Sequence, residues 1–190
     1  MKSLRLSRPH AIMMVGIPGS GKTFFAEKFA EMFNAPYIDT LVLERAAKDG
    51  EAGKIIGYMV SEIAKTQHTF IYEGNSDTRV SRTEFAKWAR SNGYQPLYVW
   101  VQIDNATAKS RTKKAATISE DEFNFTVKSF STPHPDEKAI VISGKHTYAT
   151  QAKVVLSHLS KFNRPESTAP QPTPAQSATA RPQNRSIVVQ

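Results

Sequence analysis

The chain alternates short apolar runs with longer stretches in which apolar residues recur at helical spacing. Residues 11–15 form an unbroken apolar run closed by Gly16, as in a strand buried on both faces. Over residues 22–33, Phe25, Phe29, Met32 and Phe33 share one helical face, with Ala26 and Ala30 beside them. The alternation continues with strand signals at 35–38, 69–72, 97–103 and 139–143. Helical patterns occupy 40–48, 53–65, 106–113 and 147–162. Ser81 to Glu84 and Ser119 to Glu122 read as capping boxes. Val80 with Phe85, and Ile118 with Phe123, stand where hydrophobic staples would be. They predict helices running to about Asn92, where Gly93 follows, and to about Ser129. Strands alternating with helices predict an α/β fold. It is a three-layer sandwich with a parallel five-stranded sheet and helices on both faces. A ligand would sit beyond the carboxyl ends of the strands.

The pattern stops at Arg164. Residues 164–190 hold five of the eleven prolines, spaced by Ser, Thr, Ala and Gln, and keep no helical or strand period. The expected organisation is a folded unit over 1–163 and a Pro-rich disordered tail over 164–190. The tail ends in Ile187-Val188-Val189, which is either an inert tip or a short segment that binds a protein partner.

Between the first strand and the first helix stands Gly16-Ile17-Pro18-Gly19-Ser20-Gly21-Lys22-Thr23. It fits G-x-x-x-x-G-K-[ST], the phosphate-binding P-loop, in the strand–loop–helix context that this motif requires. Glycines let the backbone curl so that successive N–H groups meet phosphate oxygens, and the following helix adds its positive end. Lys22 supplies a mobile charge for the β- and γ-phosphates, and the Thr23 hydroxyl is suited to Mg²⁺. The expected ligands are a nucleoside triphosphate and Mg²⁺.

The chain has 190 residues, of which 39% are hydrophobic, enough for one core. It has no cysteine, which excludes disulfides and Cys-based zinc sites and fits a cytoplasmic protein. No apolar run approaches the length of a membrane span. The net charge of +8 favours anionic partners, nucleotides or nucleic acid among them. No aromatic stacking platform or recognised nucleic-acid module accompanies it.

Two carboxylates end strands on the expected ligand side. Glu73 closes the third strand, where it would hold Mg²⁺ or its water shell, or else cap a loop. Asp39 closes the second, where it would act as base toward an acceptor hydroxyl, orient Mg²⁺, or cap the next helix. The basic stretch Lys109 to Lys114 is either a lid that brings cations to the γ-phosphate or a solvated helix face. Arg79 and Arg82 are candidates for an anionic acceptor. Arg82 opposes the helix dipole in its expected first turn, which hints at another role.

On these residues the chain resembles P-loop kinases of the polynucleotide 5′-kinase type (AAA_33-like and, more distantly, zeta-toxin-like ATP-binding proteins). The resemblance spans roughly residues 11–159. It is carried by Gly16 to Thr23, by Glu73-Gly74-Asn75, by the strand at 97–103 leading to the basic lid, and by Ser143-Gly144. It implies the P-loop NTPase fold and ATP with Mg²⁺. The P-loop residues, Arg111 and Gly144 would contact nucleotide, and Thr23 and Glu73 the metal. Lys22, Asp39, Arg111 and Lys114 would serve phosphoryl transfer. The family pattern has Asp in place of Glu73. It has Arg three residues after the second-strand Asp, where this chain has Val42. The expected activity is transfer of the γ-phosphate of ATP to a hydroxyl, on a nucleic-acid 5′ end or a small molecule. The alternative is an ATP-dependent switch or binding module without an acceptor.

Overall fold

The computed structural model describes residues 8–48 and 50–162. The predicted Pro-rich tail lies outside the described residues. Five strands form one sheet: β1 (His10–Val15), β2 (Tyr37–Asp39), β3 (Phe70–Glu73), β4 (Gln95–Gln102) and β5 (Ile140–Ser143). They pair in the order β2-β3-β1-β4-β5, and every pairing is parallel. The connecting helices are α1 (Lys22–Phe33), α2 (Thr40–Ala46), α3 (Ala52–Thr66), α4 (Arg79–Ser91), α5 (Asn105–Ala115), α6 (Glu120–Ser129) and α7 (Tyr148–Phe162). A 3₁₀ turn, Pro135–Glu137, precedes β5.

The unbroken apolar run of β1 is buried on both sides because it lies at the centre of the sheet. Ile12 and Met14 pack on Phe25, Ala26 and Phe29 of α1 and on Val155 and Leu159 of α7. The alternate residues face α3 and α4: Ala11 joins Val60, Ala64 and Ala89, and Met13 and Val15 join Ala86. This is the period of two that gives a strand two faces, and it produces the predicted three layers. The pair α5–α6 sits at the carboxyl end of the sheet, where Ala108 and Phe123 pack on Ile17 of the P-loop.

The two capping boxes fare differently. Ser119 caps α6 as predicted, its Oγ accepting from the Glu122 N–H at 3.1 Å. At α4 the cap is Thr78, whose Oγ1 accepts from the Ser81 N–H at 3.2 Å. The helix therefore begins at Arg79, earlier than Ser81 predicts, and Val80 stands exposed rather than stapling the entry. Thr78 also pairs with the Ser81 hydroxyl at 2.8 Å, which removes Ser81 from a capping role.

Candidate nucleotide-binding site

The P-loop, Gly16 to Thr23, joins β1 to α1 at the carboxyl edge of the sheet. Gly21 holds a φ of 100°, and among the described residues no side chain caps the α1 N-terminus, as is also the case at α3. By contrast α2, α4, α5 and α6 are capped by Asp39, Thr78, Asp104 and Ser119. The first-turn N–H groups of a helix have no intrahelical partner, so α1 offers its amides and its positive end to an anion. The loop is wedged tightly. A Cβ on Gly19 (φ 77°) would strike the Ala108 carbonyl of α5, and one on Gly144 would strike the Ser20 carbonyl. These close approaches hold the loop between α5 and the turn after β5. Ser20 is buried, and its hydroxyl has no hydrogen-bond partner among the described residues.

Lys22 folds back on its own loop, its Nζ donating to Gly16 O at 2.7 Å and Ile17 O at 3.2 Å. Burial pulls the ammonium below the ordinary lysine range, and Glu73, Asp77 and Asp39 oppose that shift in decreasing order. Glu73 is 5% exposed and both its oxygens are occupied. The Thr23 hydroxyl donates to Oε1 at 3.0 Å, and the Tyr37 hydroxyl donates to Oε2 at 2.8 Å. Burial raises the Glu73 carboxyl above its usual range, with Lys22 and the two hydroxyls pulling the other way. Tyr37 is raised well above the ordinary phenol by burial and by Glu73 beside it.

Asp39 and Glu73 are directly paired in the β2–β3 register, so their carboxylates leave the sheet side by side. Asp39 fulfils its capping alternative: Oδ1 accepts from the N–H groups of Leu41 at 2.9 Å and Val42 at 3.4 Å. Its Oδ2 lies 3.5 Å from the Tyr37 hydroxyl. Asp77 adds a third carboxylate, raised by burial and partly lowered by Lys22 and Arg82.

On the other side of the loop, Gly19, Gly21, Arg111, Gly144, Lys145 and His146 line a cleft of about 450 Å³. Arg111 crosses to it from α5, its Nη1 donating to Gly144 O at 3.0 Å. Lys114 is exposed in the last turn of α5. Lys109 is taken by Glu120 at 2.7 Å, which ties α5 to α6. Lys145 pairs with Asp104 at 2.7 Å and links the turn after β5 to the start of α5.

Arg82 has the other role that its unfavourable position hinted at, and it is structural. The side chain is fully buried. Its guanidinium grips Glu137 at 2.7 and 3.0 Å and donates to Ser76 O and Ser131 O at 2.8 and 2.9 Å. With its donors spent, it is not available to an anionic acceptor. Tyr37 and Asp77 are absent from the sequence-level site. Tyr37 had a local signal, since it stands two residues before Asp39 and shares its strand face. Asp77 lies in the loop after Glu73 and had none.

The residues present fit a nucleoside triphosphate and Mg²⁺. Among the described residues the helix end is uncapped and the lysine's hydrogen bonds go to loop carbonyls, and a hydroxyl–carboxylate pair stands one residue further on. Among the described residues no three His, Cys, Asp or Glu side chains converge as a metal site. Thr23 and Glu73, joined at 3.0 Å, are the residues that would hold the cation. No described helix is long and apolar enough to cross a membrane.

Comparison with solved structures places the chain among P-loop kinase folds. A gluconokinase from Sinorhizobium meliloti 1021 superposes with a TM-score of 0.63 at 15% identity, covering 82% of this chain and 94% of that one. A sugar kinase from Janibacter sp. HTCC2649 gives a TM-score of 0.63 at 16% identity, with 80% and 95% covered. Comparison with curated proteins gave no match. The AAA_33 family model, described as an AAA domain, matches residues 12–132. This stretch runs from β1 through the P-loop, Asp39 and Glu73 to α6, and the chain belongs to that AAA-domain family.

Proposed function

We propose that the protein is an ATP-dependent phosphotransferase that moves the γ-phosphate to a hydroxyl acceptor. The observation that carries this is the convergence of Lys22, Thr23 and Glu73 at an uncapped helix N-terminus, with Asp39 paired beside Glu73. The shared kinase fold supports phosphotransfer in general and names no acceptor.

In this reading the loop amides from Gly16 to Thr23 bind the phosphate chain, and Lys22 leaves the Gly16 and Ile17 carbonyls for phosphate oxygens. Thr23 and Glu73 would hold Mg²⁺, which when bound would withdraw charge from the oxygens of the transferring group, and Tyr37 fixes the Glu73 carboxylate by occupying its second oxygen. Asp39 accepts the proton of the acceptor hydroxyl on Oδ2, while its cap bonds keep the carboxylate in place. The Arg111 side of the loop takes the nucleoside, with Gly144 at its wall, and Lys114 supplies a second mobile cation. The acceptor is a nucleic-acid 5′-hydroxyl or a small molecule. A protein partner for the tail belongs to the same proposal.

One observation favours the ATP-dependent switch instead. Asp39 is committed to capping α2, and the residue three positions on is the exposed Val42, not a cation. Transfer of γ-labelled phosphate decides between them. DNA and RNA oligomers with free 5′-hydroxyls, nucleosides and a pool of small hydroxyl compounds are offered with Mg²⁺. Label on an acceptor, lost in Lys22→Ala, is the expected result. Label released only to water, or retained on ATP, overturns the phosphotransferase and leaves the switch.

A further inference from the structure

We infer that the protein carries a second anion site, at the end of the sheet opposite the P-loop, built for a small phosphate-bearing ligand. A cavity of about 590 Å³ opens beside the first residues of β4. Arg8, Arg90, Lys138 and His158 line it. They come from four separate segments: the approach to β1, the last turn of α4, the residue after the 3₁₀ turn, and α7.

Two carboxylates share the lining, but both are engaged elsewhere. Glu137 is held by Arg82. Asp136 pairs with His134 at 2.9 Å and lies 3.9 Å from Arg79. Among the described residues, Arg8, Arg90 and Lys138 form no ion pair. With Glu137 already held by Arg82, Arg8, Arg90 and Lys138 outnumber the remaining carboxylate, Asp136; the excess positive charges repel one another, and the concave wall focuses their field. A phosphate relieves that repulsion and accepts from several guanidinium and ammonium donors at once.

The backbone positions of these groups are fixed. The buried His10 ring donates from Nδ1 to Arg8 O at 2.9 Å, and the Gln95 N–H donates to Pro9 O at 2.9 Å. Lys138 holds a left-handed φ of 49°, closed by its N–H to Pro135 O at 3.1 Å. The start of β4, Gln95 to Tyr98, forms one wall of the cavity, whose volume admits an organic phosphate as well as a free anion. His10 pairs with Gln95 at this end of β1, whereas the P-loop follows Val15 at the other. The two sites are about 20 Å apart along the strand, so this one is independent of the nucleotide-binding reading.

The test is a titration of the full-length protein followed by amide NMR shifts, with inorganic pyrophosphate as one probe and adenosine 5′-monophosphate as the other. Two separately saturating sets of shifts are expected, one over residues 16–23 and one at Gly93, Gln95 and Lys138. The exposed double change Arg90→Ala, Lys138→Ala should weaken the second set more than tenfold and leave the first unchanged. Lys22→Ala should do the reverse. Tighter saturation by the nucleotide identifies an organic ligand, tighter saturation by pyrophosphate a free anion, and both support the site. Shifts confined to the P-loop, or a second set indifferent to the double change, would overturn it.

Discussion

The Tyr37 hydroxyl donates to Glu73 Oε2 at 2.8 Å, on the far side of the carboxylate from the Thr23 hydroxyl. Strand register brings this about, since Tyr37 pairs with Ile71 two residues before Glu73 and lies on the same side as Asp39. Groups that hold a metal ligand typically shift metal affinity or activity by about 10–100-fold when removed. Tyr37→Phe should therefore raise the Mg²⁺ concentration needed for half-maximal turnover by about tenfold. Nucleotide affinity measured without metal should not change. An unchanged Mg²⁺ dependence would detach Tyr37 from the site.

Burial holds Lys22 below the ordinary lysine range, against the pull of Glu73, Asp77 and Asp39. The free protein therefore loses this charge at a lower pH than an exposed lysine would. ATP affinity should fall as pH rises, beginning below about 10.4, the usual lysine value. Lys22→Arg keeps its charge across this window and should give a flat profile, whatever its absolute affinity. Calorimetric titration of ATP at several alkaline pH values checks this. Parallel profiles for the two proteins would sink it.

The fold and the placement of the candidate phosphate loop were legible in the sequence because their signals are local. The run at 11–15, the glycine loop and the helical spacing of Phe25 and Phe29 are each contained within one element. The helix predicted at 22–33 is α1, residue for residue. Asp39 was legible as a cap because the bonds it makes reach only two and three residues along the chain. What stayed hidden depends on long-range pairing. Arg82 and Glu137 are 55 residues apart, and no local pattern joins them. The bond from Arg111 to Gly144 spans 33 residues and depends on β4 and β5 lying side by side. Ser81 misled because Thr78, three residues earlier, offers an equivalent hydroxyl and takes the cap.

Glu137 and Arg82 form a buried ion pair, and breaking one should cost far more than a surface pair would. Removing one partner of such a pair typically costs about 3–5 kcal/mol, because the other charge is left buried alone. Glu137→Gln should lower Tm by roughly 6–20 °C for a domain of this size. Arg82→Met with Glu137→Leu should cost less than the two single changes added together. Burial alone would raise the Glu137 carboxyl, but the Arg82 fork and the His134 N–H outweigh it and hold it below its usual range. A lowered carboxyl stabilises the fold above its unfolded value, and that stability is lost as pH falls through the folded value. The gap in Tm between wild type and Glu137→Gln should therefore be widest near neutrality and close below about pH 4. A gap independent of pH would show that the carboxylate charge is not what stabilises.

Gly144 and Gly57 should respond in opposite senses to the same added methyl. Gly144 needs no unusual φ, so alanine there is opposed only by what its Cβ meets: the Ser20 carbonyl, and Val101 Cγ1 at 3.4 Å. The carbonyl belongs to the P-loop backbone and cannot swing aside as a flexible side chain would. Overpacking of this kind costs about 1–3 kcal/mol, and here the strain falls on the residue before Gly21 and Lys22. Gly144→Ala should lower Tm by a few degrees and weaken ATP binding by about tenfold, since a displaced loop loses its alignment with the phosphates. Gly57 lies within α3, and its added Cβ would meet nothing within 4 Å among the described residues. Gly57→Ala should stabilise by about 0.5–1 kcal/mol through helix propensity alone and leave ATP affinity untouched. Thermal melts and calorimetry on the two variants separate a glycine that makes room for the phosphate loop from one that only costs helix stability. Wild-type ATP affinity in Gly144→Ala would show that the turn after β5 does not set the shape of the loop.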